Sequence, residues 1–217
     1  MYPLERFDIA IIVPAYNESS TIEQVVNSVL GYGDVIVVND ASSDDTADKA
    51  GNAGAIVISH SYNRGYDNAL NSGFAEADKR NYDAVITFDA DGQHKSKLLT
   101  KYIAELKSGT DLVLGIRPKP ARFSEYLFMY YTRYRFKWND PLCGMKGYSM
   151  KLYRKRGYFD SMHSIGTELS LYGLVNGYSS VQVAIPVAKR QDKPRFSSIF
   201  RANILILKSL YNIYKVF

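Results

Sequence analysis

The stretch that decides the fold reads Ala84-Val85-Ile86-Thr87-Phe88-Asp89-Ala90-Asp91-Gly92, an apolar run that ends in two aspartates. A short run of this kind, bounded by Asp and Gly, predicts a buried β-strand over 84–88. In an open α/β sheet, ligands bind at the carboxyl ends of the strands, so both carboxylates are expected in a ligand crevice. The D-x-D spacing lets two carboxylates approach one hard divalent ion that also bridges diphosphate oxygens. The alternative is that these acids only form a turn.

Similar apolar runs recur along the first half of the chain, with amphipathic stretches between them. The predicted strands are 7–13, 35–38, 55–59, 84–88 and 112–115, and the predicted helices are 20–30, 44–50, 67–78 and 97–107. Short apolar strands that alternate with helices indicate βαβ units. The sequence therefore predicts an α/β fold, Rossmann-like, with a mainly parallel sheet flanked by helices.

The character of the sequence changes after Arg117. The predicted elements are a helix rich in Tyr, Phe and Arg over 123–138, a strand or strand pair over 143–150, a helix over 167–175, a strand over 181–187, a basic loop over 189–195 and an apolar-basic stretch over 197–217 with helical spacing. We find no second domain boundary, low-complexity tract or internal repeat, so one domain over 1–217 is expected.

Composition narrows the class of protein. The 217 residues are 46% hydrophobic and 23% charged, which suits one sizeable globular core, and the net charge of +5 suits anionic partners such as nucleotides, nucleic acid or a membrane surface. The single Cys143 excludes an internal disulfide and is expected to be a small buried strand residue rather than a nucleophile. Without a signal-peptide pattern or an apolar run of ~18 residues, we expect a cytoplasmic protein.

Two other predicted strands end in polar residues. Tyr16 and Glu18 follow the first strand, and Asn39 and Asp40 follow the second. An acid there can bind a base or ribose, and an aromatic ring can stack on a nucleobase, although such residues also serve as plain helix caps. The chain has neither a G-x-G-x-x-G motif nor a P-loop, so a metal ion and basic side chains would have to hold phosphate.

Seven short motifs occur in one order, at 13–18, 39–46, 63–73, 89–94, 115–117, 140–146 and 166–169. With these motifs the chain resembles the family 2 glycosyltransferases of the GT-A fold, in particular dolichyl-phosphate mannose synthase and its bacterial polyprenyl-phosphate relatives. The resemblance covers almost the whole chain. It departs from the family pattern in the second motif, where Asn39 replaces an Asp and Ala41 replaces a Gly.

The resemblance implies a role for each matching residue. The nucleotide-sugar site would comprise Pro14, Tyr16, Glu18, Asp40, Asp89, Ala90, Arg117, Arg190, Lys193 and Arg195, and Mg²⁺ or Mn²⁺ would be held by Asp89, Asp91 and Gln93. The catalytic residues would be Asp91, Arg117, Asp140, Glu168 and Arg195. Asp140 and Glu168 are the candidates for a general base. The alternative is that Asp140 is a turn residue and that Glu168 is a carboxylate at the start of a helix. Residues 1–117 would bind the nucleotide sugar and 118–217 the acceptor.

The resemblance also implies the reaction, an inverting transfer of a sugar from GDP-mannose or a UDP-hexose to a polyprenyl or dolichyl phosphate. An acceptor phosphate is already ionised and needs no general base, whereas a hydroxyl needs one. The alternative acceptor is a saccharide of lipopolysaccharide, capsule or glycoprotein. A non-catalytic nucleotide- or nucleic-acid-binding module is the alternative of another class, but carboxylates in the crevice would repel a nucleic acid, so no nucleic-acid partner is expected.

The aromatic stretch 123–138 and the final stretch 197–217 both carry basic neighbours. Aromatic rings beside Arg and Lys suit the bilayer interface. We therefore expect a peripheral protein on the cytoplasmic face of a membrane. The alternative is that both stretches cover the sheet or form the contact of a homo-oligomer.

Overall fold

The computed structural model describes residues 7–92, 95–120, 122–186 and 199–217. Its sheet contains β1 (Ile9–Ala15), β2 (Asp34–Asn39), β3 (Ile56–Ser59), β4 (Ala84–Thr87), β5 (Leu112–Ile116), β6 (Lys146–Ser149) and β7 (Ser180–Ala184). The strand order is β3-β2-β1-β4-β6-β5-β7. Only β6 runs antiparallel to its neighbours within the described residues. The predicted α/β class with a mainly parallel sheet is confirmed.

Helices cover both faces of the sheet. They are α1 (Ile22–Val29), α2 (Thr46–Asn52), α3 (Tyr66–Lys79), α4 (Leu99–Lys107), α5 (Phe123–Phe136), α6 (Met150–Arg156), α7 (Glu168–Val175) and α8 (Ile199–Val216). Helices α1, α2 and α4 pack on one face, and α3 and α5 to α8 pack on the other. Because β1 is buried on both faces, its residues are apolar without alternation.

The stretch 143–150, predicted as a strand or strand pair, contains a single strand with narrower bounds. It forms one short strand, β6, because α6 begins at Met150. The hydroxyl of Ser149 accepts a hydrogen bond from the Leu152 amide at 3.4 Å and so caps this helix, which was not among the predicted elements. Cys143 is buried, as predicted, but it lies ahead of the strand rather than in it.

The reversed strand β6 determines what lies at the ligand-binding edge of the sheet. Lys146 pairs with Thr87 of β4 and with Leu114 of β5. Since β6 is antiparallel to both, its first residue lies where its neighbours end. Strands from before and after residue 117 therefore share one sheet. Separate roles for residues 1–117 in donor binding and 118–217 in acceptor binding stay a prediction.

Candidate active site

The loops that follow β1 and β2 are joined by hydrogen bonds. The Asn17 amide donates to Ser42 Oγ at 2.9 Å, and the Glu18 amide donates to Thr46 Oγ1 at 2.9 Å. Glu18 is buried, and its Oε2 accepts from Thr21 Oγ1 at 3.2 Å. Tyr16 is 41% exposed, so its ring is accessible to a ligand. These contacts hold the two predicted nucleoside-binding loops at one edge of the sheet. Pro14, which is predicted for the same site, lies in β1.

Asp40 is buried and holds the loop between β3 and α3. Its Oδ1 accepts from His60 Nδ1 at 2.7 Å and from the Arg64 amide at 2.8 Å, while Oδ2 accepts from the Gly65 amide at 2.8 Å. His60 Nε2 lies 2.8 Å from Ser72 Oγ. Because Nδ1 donates to Asp40, Nε2 of a neutral ring accepts from the Ser72 hydroxyl. Asp40 therefore shapes the wall of the crevice, and its predicted contact with the nucleoside would use its remaining lone pairs.

The D-x-D motif lies directly after β4, with Ala90 and Asp91 buried and Asp89 partly buried. Asp89 lies against the backbone of Gly144, where an added Cβ would lie 2.6 Å from the Asp89 Cγ. The hydroxyl of Thr87 donates to the Gly144 carbonyl at 2.6 Å and fixes this approach. A side chain at 144 would thus displace the Asp89 carboxylate from this position.

These residues fit a divalent ion that arrives with a diphosphate. No group of three or more His, Cys, Asp or Glu in the described parts of the chain could hold a metal ion alone. Mg²⁺ is commonly bound by one or two carboxylates together with substrate phosphates and waters, and Asp89 and Asp91 with the Gly144 cradle suit that arrangement. The third predicted ligand, Gln93, lies outside the described residues.

Arg117, at the end of β5, forms an ion-pair network. Its Nε and Nη2 donate to Asp140 at 2.7 and 2.8 Å, and Nη2 also donates to Glu125 at 3.2 Å. Arg122 donates to the other oxygen of Glu125 at 2.8 Å. Burial alone would lower the pKa of Arg117, but its hydrogen bonds to Asp140 and the charges of Asp140 and Glu125 raise it. The guanidinium therefore stays positively charged at the carboxyl edge.

The two predicted general bases are both engaged. Asp140 accepts the two guanidinium contacts and also the backbone amide of Arg117 at 2.9 Å. Glu168 is fully buried and accepts from Arg156 Nη2 at 2.7 Å and from the Ser161 amide at 2.6 Å. A general base needs a lone pair within reach of the acceptor hydroxyl. To act as a base, either residue would first have to break its ion pair with an arginine. These contacts therefore disfavour a role as general base, which stays a prediction for both residues.

A buried polar cluster for which no role was predicted lies beside this crevice. Asp67, in the first turn of α3, accepts from the Gly166 amide at 2.6 Å, and Lys146 Nζ donates to the Gly166 carbonyl at 2.6 Å. Burial and the neighbouring Asp160 raise the pKa of Asp67 to about 7. One signal was available, since Lys146 interrupts an otherwise apolar strand candidate. The predicted phosphate-binding residues Arg190, Lys193 and Arg195 lie outside the described residues.

Helices α5 and α8 pack on each other and expose one aromatic surface. Ser124 Oγ donates to Asn203 Oδ1 at 2.5 Å, and the rings of Tyr131 and Tyr214 lie 6.2 Å apart. We call the outward face the aromatic surface; it comprises Phe123, Tyr126, Leu127, Tyr130 and Tyr134 of α5 and Phe200, Ile204, Leu207, Tyr211 and Tyr214 of α8. Its members follow helical spacing, i, i+3 or i+4, i+7, which places them on one side of each helix.

Three residues predicted for this interface lie in the core instead. Phe128, Trp138 and Ile213 are fully buried, because they occupy the inner sides of the same segments. The predicted helix 123–138 ends at Phe136, since Lys137 adopts a left-handed conformation with φ of 59°. Within the described ranges, no helix has the length and apolarity needed to span a bilayer.

Comparison with known proteins identifies relatives of the chain. It is 31% identical over 119 residues to a dolichol-phosphate mannosyltransferase of Pyrococcus furiosus, covering 50% of this chain and 33% of that protein. It is 32% identical over 131 residues to a UDP-N-acetylglucosamine–dolichyl-phosphate N-acetylglucosaminyltransferase of Methanococcus voltae, covering 51% and 52%. The chain thus spans one third to about half the length of these curated relatives.

A solved structure confirms the expected GT-A fold. The fold matches glucosyl-3-phosphoglycerate synthase of Mycobacterium tuberculosis in complex with Mn²⁺, UDP and glucosyl-3-phosphoglycerate, with a TM-score of 0.72 at 20% identity, over 96% of this chain and 79% of that one. At this identity the likeness concerns the fold alone. The family model described as "Glycosyl transferase family 2" matches residues 10–162, and this chain accordingly belongs to glycosyl transferase family 2.

Proposed function

We propose that this chain transfers a hexose from a nucleoside diphosphate sugar to a polyprenyl phosphate at a membrane surface, with inversion at the anomeric carbon. One observation carries the proposal. Arg117 of the crevice contacts Glu125 of α5 at 3.2 Å, and Phe123 and Tyr126 beside Glu125 are exposed by 74% and 46%. The crevice therefore contacts the buried side of α5, whose outward side carries the aromatic surface, and this arrangement suits an acceptor whose phosphate is polar and whose tail lies in lipid.

The donor would bind where the carboxyl ends of the strands meet. The accessible ring of Tyr16 offers a stacking face for the base, and Asp89 and Asp91 would hold the metal ion together with the diphosphate. The bound divalent ion would supply positive charge that stabilises the departing nucleoside diphosphate. Arg117 is fixed in place before substrate arrives, so it can act on developing negative charge without reorganisation.

The engaged state of Asp140 and Glu168 favours a phosphate acceptor. A hydroxyl acceptor must lose its proton to a base, and both candidate carboxylates are held by arginines. An ionised phosphate oxygen can attack the anomeric carbon without such a base. The names of the dolichyl-phosphate relatives support the same class of acceptor.

The aromatic surface suits the membrane interface rather than water. Tyr130 and Tyr134 of α5 are 72% and 78% exposed, and Phe200 of α8 is 72% exposed. Exposed Arg133, Arg135, Arg201, Lys208 and Lys215 accompany them on the same two helices. Aromatic rings with basic neighbours match the headgroup region of an anionic bilayer. We infer peripheral binding through this surface on the cytoplasmic side, where nucleotide sugars are available.

The test is nucleotide release from GDP-mannose, UDP-glucose and UDP-N-acetylglucosamine, with Mn²⁺ or Mg²⁺, and with or without undecaprenyl phosphate. We expect release from one donor only when both the metal ion and the lipid phosphate are present. Release that requires a saccharide acceptor instead would contradict the lipid acceptor. Nucleotide binding without release under any condition would contradict catalysis and favour a binding module.

A further inference from the structure

His60, directly after β3, is a buried histidine for which no role was predicted. Its side chain is 6% exposed and lies between Asp40 and Ser72. Nδ1 is 2.7 Å from Asp40 Oδ1, and Nε2 is 2.8 Å from Ser72 Oγ. The His60 amide also donates to the Asn39 carbonyl at 2.9 Å. Both the backbone and the side chain of His60 are therefore bonded to the end of β2.

Asp40, the main partner of His60, lies at the predicted nucleoside site. It directly follows β2, and its amide donates to the Ala15 carbonyl at 2.8 Å. Ala15 is the last residue of β1 and precedes Tyr16, whose ring is accessible. Asp40 is therefore bonded to the residue that carries the loop with the exposed aromatic ring.

The Asp40 carboxylate is fixed before any ligand arrives. A carboxylate has about four lone-pair positions for hydrogen bonds. His60 Nδ1 and the Arg64 amide both donate to Oδ1, whereas the Gly65 amide donates to Oδ2. Within the described residues these are the donors to its side chain, so capacity for a further donor remains on Oδ2. A fixed carboxylate can accept that hydrogen bond without losing freedom on binding.

His60 differs from the other two donors because it is a side chain. The amides of Arg64 and Gly65 would remain whichever side chains followed them, but the bond from Nδ1 requires this histidine. Ser72 of α3 determines the tautomer of the ring. When the Ser72 hydroxyl donates to Nε2, the neutral ring keeps its proton on Nδ1, where it bonds Asp40.

We propose that His60 is a positioning residue for nucleoside binding, which holds the Asp40 carboxylate so that Oδ2 accepts a hydrogen bond from the nucleoside of the donor. Ser72 keeps His60 in the tautomer that donates to Asp40. The inference rests on the proposed function in one respect, that the donor is a nucleotide sugar. A purely structural histidine would only stabilise the loop between β3 and α3 and would not favour the nucleoside over the diphosphate.

Two variants separate the roles of the two ring nitrogens. An asparagine at position 60 places its amide nitrogen where Nδ1 lies, whereas a glutamine reaches the place of Nε2 and cannot donate to Asp40 in the same way. Isothermal titration of the full chain measures the affinities for UDP, GDP and pyrophosphate, each with Mn²⁺. Pyrophosphate is the probe without a nucleoside.

We expect His60→Gln to weaken binding of the nucleotide that the parent chain prefers by about tenfold, the size expected for misplacing one hydrogen bond to a charged group. His60→Asn should stay within about threefold of the parent affinity, because the donor to Asp40 is kept. The affinity for pyrophosphate should be unchanged in both variants. This pattern would assign the effect to the nucleoside.

Tyr82→Phe is the matched control. It removes a hydrogen bond of the same length, from Tyr82 Oη to Asp34 Oδ2 at 2.7 Å. Asp34 begins β2, so this bond lies at the opposite edge of the sheet from Asp40. Tyr82→Phe should lower the free energy of unfolding, measured by urea denaturation, and leave the affinity for both nucleotides unchanged.

Parent-like nucleotide affinity of a folded His60→Gln would overturn the inference, and so would an equal loss of affinity for nucleotide and pyrophosphate. If His60→Gln does not fold, Ser72→Ala decides. It should weaken nucleotide binding about threefold, because Nε2 loses its donor, and an unchanged affinity would overturn the inference. Nucleotide binding by the parent chain without transfer would contradict the proposed function and leave the test of His60 in force.

Discussion

Arg117 and Asp140 meet in a two-point salt bridge, with Nε 2.7 Å from Oδ2 and Nη2 2.8 Å from Oδ1. The Arg117 amide donates to the same carboxylate at 2.9 Å, so one aspartate fixes both the backbone and the side chain of Arg117. Their side chains are only 21% and 9% exposed. The pair is therefore shielded from water, and losing Asp140 removes a two-point counter-charge of Arg117 and leaves it the longer contact with Glu125 at 3.2 Å.

We predict that Asp140→Asn lowers the free energy of unfolding by about 2–4 kcal/mol, because Arg117 then loses its main counter-charge. Urea denaturation measures this change. Asp78→Asn is the control, since its pair with Arg154 is more than 40% exposed on both sides and should contribute less than about 1 kcal/mol. Equal stability of the two variants would show that Asp140 is not needed for the fold and would favour its role as a base.

We predict that Gly144→Ala weakens Mn²⁺-dependent nucleotide binding at least tenfold, because the new Cβ would displace the Asp89 carboxylate. Isothermal titration with UDP or GDP and Mn²⁺ measures the effect. Gly31→Ala, which has no atom within 4 Å of the added Cβ, should leave the affinity unchanged. Parent-like binding by Gly144→Ala would mean that Asp89 does not hold the metal ion in this position.

We predict that Asp89→Ala or Asp91→Ala removes the metal dependence of nucleotide binding and leaves the fold intact, because both residues follow β4 rather than lie within it. The same titration with and without Mn²⁺ provides the readout, and circular dichroism checks the fold. Asp83→Ala, at the opposite end of β4, is the control. Undiminished metal-dependent affinity in both crevice variants would rule out the D-x-D pair as the metal site.

We predict that Ala41→Gly raises the free energy of unfolding by about 0.5–1 kcal/mol. Ala41 has a φ of 60°, a left-handed conformation that is strained for alanine and unstrained for glycine. Ala53→Gly is the control, since Ala53 has a φ of −77° and glycine should only add flexibility there. A loss of stability in both variants would indicate that the left-handed turn carries no strain.

We predict that the double variant Tyr130→Ser and Tyr134→Ser lowers binding to anionic vesicles at least fivefold, because each ring is removed from the aromatic surface. Vesicle co-sedimentation measures binding, and added salt should weaken it further. Tyr62→Ser is the control, since Tyr62 is 67% exposed but lies outside α5 and α8. Parent-like binding by the double variant would contradict membrane contact through this surface.

The strands and the D-x-D motif could be predicted because their signals are local. The run 84–88 is apolar and ends in two acids, and β4 with its acidic turn follows that pattern. The stretch 143–150, predicted as a strand or strand pair, contains one strand with narrower bounds, because a serine cap at Ser149 starts a helix at Met150. Apolar composition alone does not distinguish a strand from the start of a buried helix.

The contacts within the crevice could not be predicted because they join distant parts of the chain. Asp40 is held by His60, Arg64 and Gly65, at separations of 20 to 25 residues. Lys146 donates a hydrogen bond to the Gly166 carbonyl, and the Gly166 amide donates one to Asp67, which lies 99 residues earlier in the sequence. Only the packing of α3 and α7 on one face of the sheet brings these groups together. The spacing of these residues in the sequence does not predict their contacts.

The reversed strand β6 also sets the order in which the sheet can form during synthesis. Strands β1 to β4 lie side by side and come from one continuous stretch, residues 9–87. Strand β5 pairs with β6 and β7 and has no pairing with β4, so Arg117 joins the sheet only after residues 146–149 exist. Long-range pairings of this kind form late in folding. We therefore expect the nascent chain to build strands β1 to β4 first and to complete the crevice last.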